Sequence, residues 1–189
     1  MTRLFAPRLW LLAGLVLATS VSRAAEGPKY NVQALSEGYA LLYQTLGRID
    51  MLPNLLWVKF ESDPVDALAT AVNDQVGKAV DRLQAYADSH PGIDLADTGL
   101  PLVERQRRDN TVKTVLKELL TRSGGRFELY FLLVMANLLN QIRHIAQALH
   151  ELDQDQAGKT LTHETHQRFD RQYQKTMALL QASYFCPPQ

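Results

Sequence analysis

Twenty-seven consecutive residues, Phe127–Asp153 (FELYFLLVMANLLNQIRHIAQALHELD), contain neither proline nor glycine, and they constrain the fold more than any other part of the chain. From Phe127 to Ala136 the stretch is apolar on every side except at Glu128. Beyond that it narrows to an apolar face (Leu138, Leu139, Ile142, Ile145, Ala146, Leu149) opposite a polar one that includes Asn137, Asn140, Gln141 and His144. A helix that is apolar all round needs covering all round. The stretch is therefore expected to be a central helix with other helices packed against it.

The flanking sequence supplies those helices. Asn31 is placed to cap a helix whose stripe is Val32, Leu35, Tyr39, Leu42, Leu46 and Ile49, with Pro53 expected to end or kink it. Residues 54–62 are apolar and short, and read as a helical or irregular connector. Asp63-Pro64 is a helix start, followed by Val65, Leu68, Val72, Val76, Val80, Leu83 and Ala87 and ended by His90-Pro91-Gly92. Residues 91–101 form the longest loop, with turn chemistry throughout. From Pro101 the next helix has a polar first half, Glu104–Asn110, and a buried side expected from Leu102, Val112, Val115, Leu116, Leu119 and Leu120. Ser123-Gly124-Gly125 makes the corner into the central helix. Thr160 or Thr162 is the expected cap of a last helix with the stripe Phe169, Tyr173, Met177, Leu180 and Tyr184. Short loops make successive helices antiparallel neighbours. The fold class is all-α: an up-and-down bundle of four long helices plus one extra, with a single domain spanning 31–186.

The ends of the chain are a different matter. Arg3 and Arg8 precede an apolar run, Leu9–Val21, that has the length of a signal-peptide core and is short for a membrane span. Ser22 and Ala24 have the small-x-small pattern of a cleavage site, which predicts a signal peptide over 1–24, cleavage after Ala24, a linker over 25–30 and a periplasmic destination. Removing 1–24 takes away Arg3, Arg8 and Arg23 and no acid, leaving 17 basic and 20 acidic residues and a net charge of −3. That balance argues against a general nucleic-acid binder. No later apolar run is free of charges, so no membrane span is expected after cleavage. The one cysteine, Cys186, stands just before a 187–189 tail of Pro-Pro-Gln. In an oxidising compartment it is a small apolar group, a free thiol or the link in a disulfide-joined dimer.

The motifs that mark catalytic or cofactor-bearing bundles are missing. The sequence has no Cys-x-x-Cys-His, Glu-x-x-His, His-Glu-x-x-His, phosphate loop or Gly-x-Ser-x-Gly. The nearest thing to a ligand set is His163 and His166, three apart on one helix face, with His150 brought near by an antiparallel turn. These three are the candidate ligands of a divalent metal. Glu128 falls in the arc of Leu132, Met135, Leu139 and Ala146, where a carboxylate must be paired, hydrogen-bonded or protonated. Arg122 and Lys117 are the cations in reach, and no second carboxylate is placed to make it a catalytic acid. Within Glu104-Arg105-Gln106-Arg107-Arg108-Asp109, Arg105 and Arg108 share a helix face suited to an anion or an acidic partner. A solvated face with internal ion pairs to Glu104 and Asp109 is the competing reading. Asn137, Asn140 and Gln141 read as an outer polar strip, and Tyr130, Phe131, Phe169, Tyr173 and Tyr184 as core. Together these residues point to a non-enzymatic binding or interaction module for a protein or small-molecule partner. A metal- or cofactor-handling bundle built on His163 and His166 is the alternative.

Overall fold

The computed structural model describes residues 31–56 and 62–185. The predicted signal peptide, the 25–30 linker, Cys186 and the 187–189 tail lie outside them, as does most of the 54–62 connector. Five helices follow one another: α1 (Val32–Leu56), α2 (Asp63–Ser89), α3 (Leu102–Thr121), α4 (Gly124–Leu152) and α5 (Gln156–Leu180). One π-helical turn, Gln181–Phe185, extends α5. Among the described residues no helix is long and apolar enough to cross a membrane.

Successive helices alternate in direction. Tyr39 near the start of α1 meets Tyr86 near the end of α2, and Arg82 of α2 pairs with Glu164 of α5. Arg143 of α4 pairs with Asp170 of α5, and Tyr39 reaches Asp153 at the end of α4. These contacts close a ring in the order α1, α2, α5, α4, with neighbours antiparallel. α3 stands outside the ring against α4. It carries the chain back along the bundle so that α4 can enter parallel to α2, its diagonal opposite.

The core is the set of stripes turned inward. In α1, Leu35, Tyr39, Leu42, Leu46 and Ile49 are buried, and in α2, Val65, Leu68, Val72, Val76 and Leu83. In α4, Phe127, Phe131, Leu132, Met135, Leu139, Ile142 and Ala146 are fully covered. Each fully buried Val, Leu, Ile, Phe or Met among them contributes about 1.5–3 kcal/mol of apolar burial. Tyr130, Tyr173 and Tyr184 are half-buried against this core, and Arg122 and Arg143 lie over the rings of Tyr130 and Tyr173 at 4.0 and 4.3 Å.

α4 is the central helix in that α1, α5 and α3 pack against it on three sides, while Leu133 on the remaining side is 45% exposed. Several other expectations need correction. α3 buries only Leu119 fully, and Leu102 and Leu120 are exposed, because a helix outside the ring packs on one edge of it and leaves its other sides open. Val32 and Met177 are exposed too. α1 does not end at Pro53 but runs three residues further, where the one amide hydrogen that proline lacks removes a single bond near the helix end. α5 starts earlier than either threonine: Asp155 is its cap, accepting from Gly158 N at 2.8 Å. Ser62 occupies the cap position before α2, with Asp63-Pro64 as the first helical residues. The loop after α2 is fixed by Ser36, whose hydroxyl accepts from Asp94 N at 2.7 Å, and by Gly99 (φ 62), which lets the Glu37 carboxylate lie against its backbone.

Candidate functional site

Where α3 leans on the ring it leaves a cavity of about 190 Å³ between α1, α3 and α4. Its walls are Leu52, Val112, Val115, Leu116, Val134 and Leu138. Its polar groups are three guanidiniums, from Arg48 of α1 and Arg107 and Arg108 of α3, the Thr111 hydroxyl of α3, and the amides of Asn137 and Gln141, one turn apart on α4. The polar first half of α3 thus has a place: it carries cations to the rim of an apolar pocket.

The three arginines are not equivalent. Glu104 sits one turn before Arg107 and Arg108, at the three- and four-residue spacings that bring side chains together on a helix. Arg107 donates from Nε and Nη2, and Arg108 from Nε, all at 2.7 Å to the Glu104 carboxylate. Those bonds hold the Glu104 carboxyl at about 2, first through Arg107 and then through Arg108. Arg48 is half-buried one helical turn from Leu52, and it makes no hydrogen bond or ion pair among the described residues. Burial first, and the Arg108 guanidinium next, hold it below the ordinary arginine range. An arginine does not lose its proton at any physiological pH, so the direction measures how costly its charge is where it stands.

Of the two arginines singled out in the sequence, Arg108 lines this pocket and Arg105 is exposed away from it. Arg107 lines the pocket where Arg105 was expected, and its ion pair and that of Arg108 to Glu104 are the ones the solvated-face reading expected. Arg48 lies some sixty residues from α3, and no spacing in the sequence connects the two.

Glu128 is buried, 5% exposed, as its place in the apolar arc requires. It accepts from Ser62 N at 2.7 Å and from Tyr184 Oη at 3.3 Å. It therefore does for α2 what a glutamate in a helix's own first turn does in a capping box, from a different helix. Arg122, one of its expected cationic partners, bonds Glu118 at 3.3 Å and stacks on Tyr130. Glu128 seals the end of the bundle where α2 and α4 begin.

A second buried carboxylate seals the other end, and sequence reasoning missed it. Asp153, 1% exposed, follows the last residue of α4. It accepts from Tyr39 Oη at 2.6 Å, from Tyr86 Oη at 3.3 Å and from Asp155 N at 2.8 Å. Tyr86 also reaches Asp155 at 3.4 Å and stacks on His90, ring centroids 4.1 Å apart. Burial, and then the Asp153 carboxylate, push the Tyr39 hydroxyl far above the ordinary tyrosine range, and Tyr86 moves the same way for the same reasons. Gly158 makes the cluster fit, since a Cβ there would overlap Asp153 Oδ2 and both hydroxyls. The available signal was Tyr39 itself, a hydroxyl at a core position that needs a partner.

The histidines meet in part. The rings of His150 and His163 are 5.2 Å apart, so the turn between α4 and α5 does bring them together. His150 Nδ1 donates to Lys159 O at 3.1 Å and His166 Nδ1 to Arg143 O at 2.9 Å, while His163 Nε2 bonds the Gln167 amide. Among the described residues no three His, Cys, Asp or Glu side chains converge on a point where they could hold a metal ion. The chain matches no known protein-family model, and no curated protein and no solved structure is significantly similar to it.

Proposed function

We propose that this chain is an exported, non-enzymatic binding module, and that the α1–α3–α4 pocket is where it takes its ligand, a small amphipathic anion. The observation that carries the reading is Arg48. A half-buried guanidinium on an apolar wall costs free energy unless something pairs with it. Arg107 and Arg108 already share Glu104, and Arg48 has no hydrogen bond or ion pair among the described residues. A ligand that brings an anionic group to Arg48 and an apolar body to Leu52, Val115 and Leu138 satisfies both halves of the pocket. Export is supported by the basic n-region, the short apolar run and the small residues at 22 and 24. The non-enzymatic part is supported by the missing catalytic motifs and by a pocket whose polar groups are guanidiniums, amides and a hydroxyl.

Calorimetric titration of purified protein with amphipathic carboxylates, sulfonates and phosphates tests the site. Binding is expected for at least one anion class and to be lost in Arg48→Gln; no binding of any class, or binding indifferent to Arg48→Gln, refutes it. N-terminal sequencing of the exported protein tests the compartment, with Ala25 expected as the first residue. A second reading, a metal-handling bundle, rests on the adjacency of His150 and His163. Elemental analysis of the protein beside His163→Ala decides that one: a metal present in both or in neither disposes of it.

A further inference from the structure

We infer that the ligand of the α1–α3–α4 pocket is a monocarboxylate with a compact apolar body, a medium-chain fatty acid or an arylalkanoic acid, held by a two-point bond from Arg48. The inference rests on the proposed reading of the pocket as an anion site and adds the ligand's charge, headgroup shape and size.

The charge follows from the pairing. Arg107 and Arg108 share the Glu104 carboxylate through three bonds of 2.7 Å, and Arg48 is the lining guanidinium that no carboxylate bonds among the described residues. One negative charge on the ligand pairs it.

The headgroup shape follows from which donors are open. Arg107 has its Nε and Nη2 edge on Glu104, and Arg108 has its Nε there as well. Arg48 keeps its whole planar fork, and a planar carboxylate matches such a fork with two parallel N–H···O bonds. Asn137 and Gln141 on the facing wall are neutral amides, which offer no second cation.

The size follows from the volume. A dry apolar cavity of about 150 Å³ takes a benzene molecule. At 190 Å³ this one accommodates a slightly larger body, about seven or eight carbon-sized atoms beyond the carboxylate.

The test is calorimetric titration with octanoate, octanol, octyl phosphate and a carboxylate series from butanoate to dodecanoate. Octanoate is expected to bind at least tenfold tighter than octanol or octyl phosphate, with affinity rising to octanoate and levelling off beyond it. Arg48→Gln is expected to weaken octanoate at least tenfold and leave octanol unchanged. Val134→Phe, which fills the pocket and leaves Arg48 in place, is expected to abolish octanoate binding, and a thermal melt of each variant shows that it is folded. Octyl phosphate binding as tightly as octanoate and lost in Arg48→Gln overturns the monocarboxylate while the anion site stands. A rise in affinity continuing through dodecanoate overturns the size. Octanol binding as tightly as octanoate, or no binding by either anion, overturns both the inference and the reading beneath it.

Discussion

Replacing Tyr39 with phenylalanine removes one oxygen from the centre of the Asp153 cluster and leaves the ring in place. The lost bond is a short hydroxyl-to-carboxylate contact of 2.6 Å between two groups that water hardly reaches, Tyr39 at 0% and Asp153 at 1% exposure. Hydrogen bonds to charged groups contribute about 1.5–3 kcal/mol, and here Tyr86 at 3.3 Å is too long to compensate. Tyr39→Phe should therefore lose about 1.5–3 kcal/mol at neutral pH, or about 3–12 °C in Tm for a domain of this size. The same bond makes a pH prediction. The folded pKa of Tyr39 is raised, so its contribution is fully present below the unfolded-state value near 10. Above about pH 10 the unfolded chain loses this proton and the folded chain keeps it, and stability falls by about 1.4 kcal/mol per pH unit on this account. The gap between the protein and Tyr39→Phe should therefore narrow from pH 10 to 11. Urea denaturation followed by circular dichroism at pH 7, 9, 10, 10.5 and 11 measures both effects. A gap under about 0.5 kcal/mol at pH 7, or one that is constant to pH 11, refutes the reasoning.

Three further outcomes follow from the same geometry. Gly158→Ala, normally worth up to about 1 kcal/mol of added stability inside a helix, should instead cost about 3 kcal/mol, because the new methyl meets Asp153 Oδ2 and two hydroxyls; thermal denaturation reads the sign directly. Glu128→Gln should cost about 1–2 kcal/mol by replacing a charged acceptor of Ser62 N and Tyr184 Oη with a neutral one, and a gain in stability would show that the carboxylate is a net burden to the fold. Glu104→Gln releases Arg107 and Arg108 and raises the charge at the pocket by one, so octyl phosphate should gain about tenfold on octanoate, more at 50 than at 200 mM salt.

The sequence was a reliable guide to α1 and α2, where strong hydrophobes recur at helical spacing and the ring buries nearly all of them. α5 is harder to read. Its inward face is Leu161, Thr162, Thr165, Phe169, Gln172, Thr176 and Leu180, whereas the apolar stripe picks out Tyr173 and Met177, which lie at the flank. The threonines can go inside because each hydroxyl is already satisfied: Thr162, Thr165 and Thr176 donate to the carbonyls of Gly158, Leu161 and Gln172, four residues earlier, at 2.7–2.8 Å. A polar group that bonds its own helix leaves only methyl surface for its neighbours. Hydrophobic periodicity gives such a residue no credit, which is why these three threonines went unread as part of the inward face. The two end seals were legible to different degrees for a related reason. Glu128 stands out as a charge in an apolar arc, while Asp153 looks like any polar residue after a helix until Tyr39 is known to reach it.

The pocket was the least legible part, and the topology explains why. A bundle whose second and fourth helices run parallel needs a return path along its length, and α3 is that path. Its amphipathicity is weak because the core asks little of it: Leu119 alone is fully buried, and Leu102, Val103 and Leu120 face outward. A helix that is needed for connection more than for core can leave a gap beneath it at little cost in stability, and its polar residues are free to serve a rim. Glu104, Arg107 and Arg108 could be grouped from their spacing alone. Arg48 could not, because its relation to them exists only through the packing of α3 against the α1–α4 edge. The residue on which the functional reading turns is thus the one that a linear pattern had no means to assign, and Arg48→Gln is the substitution that separates a ligand site from a chance gap between helices.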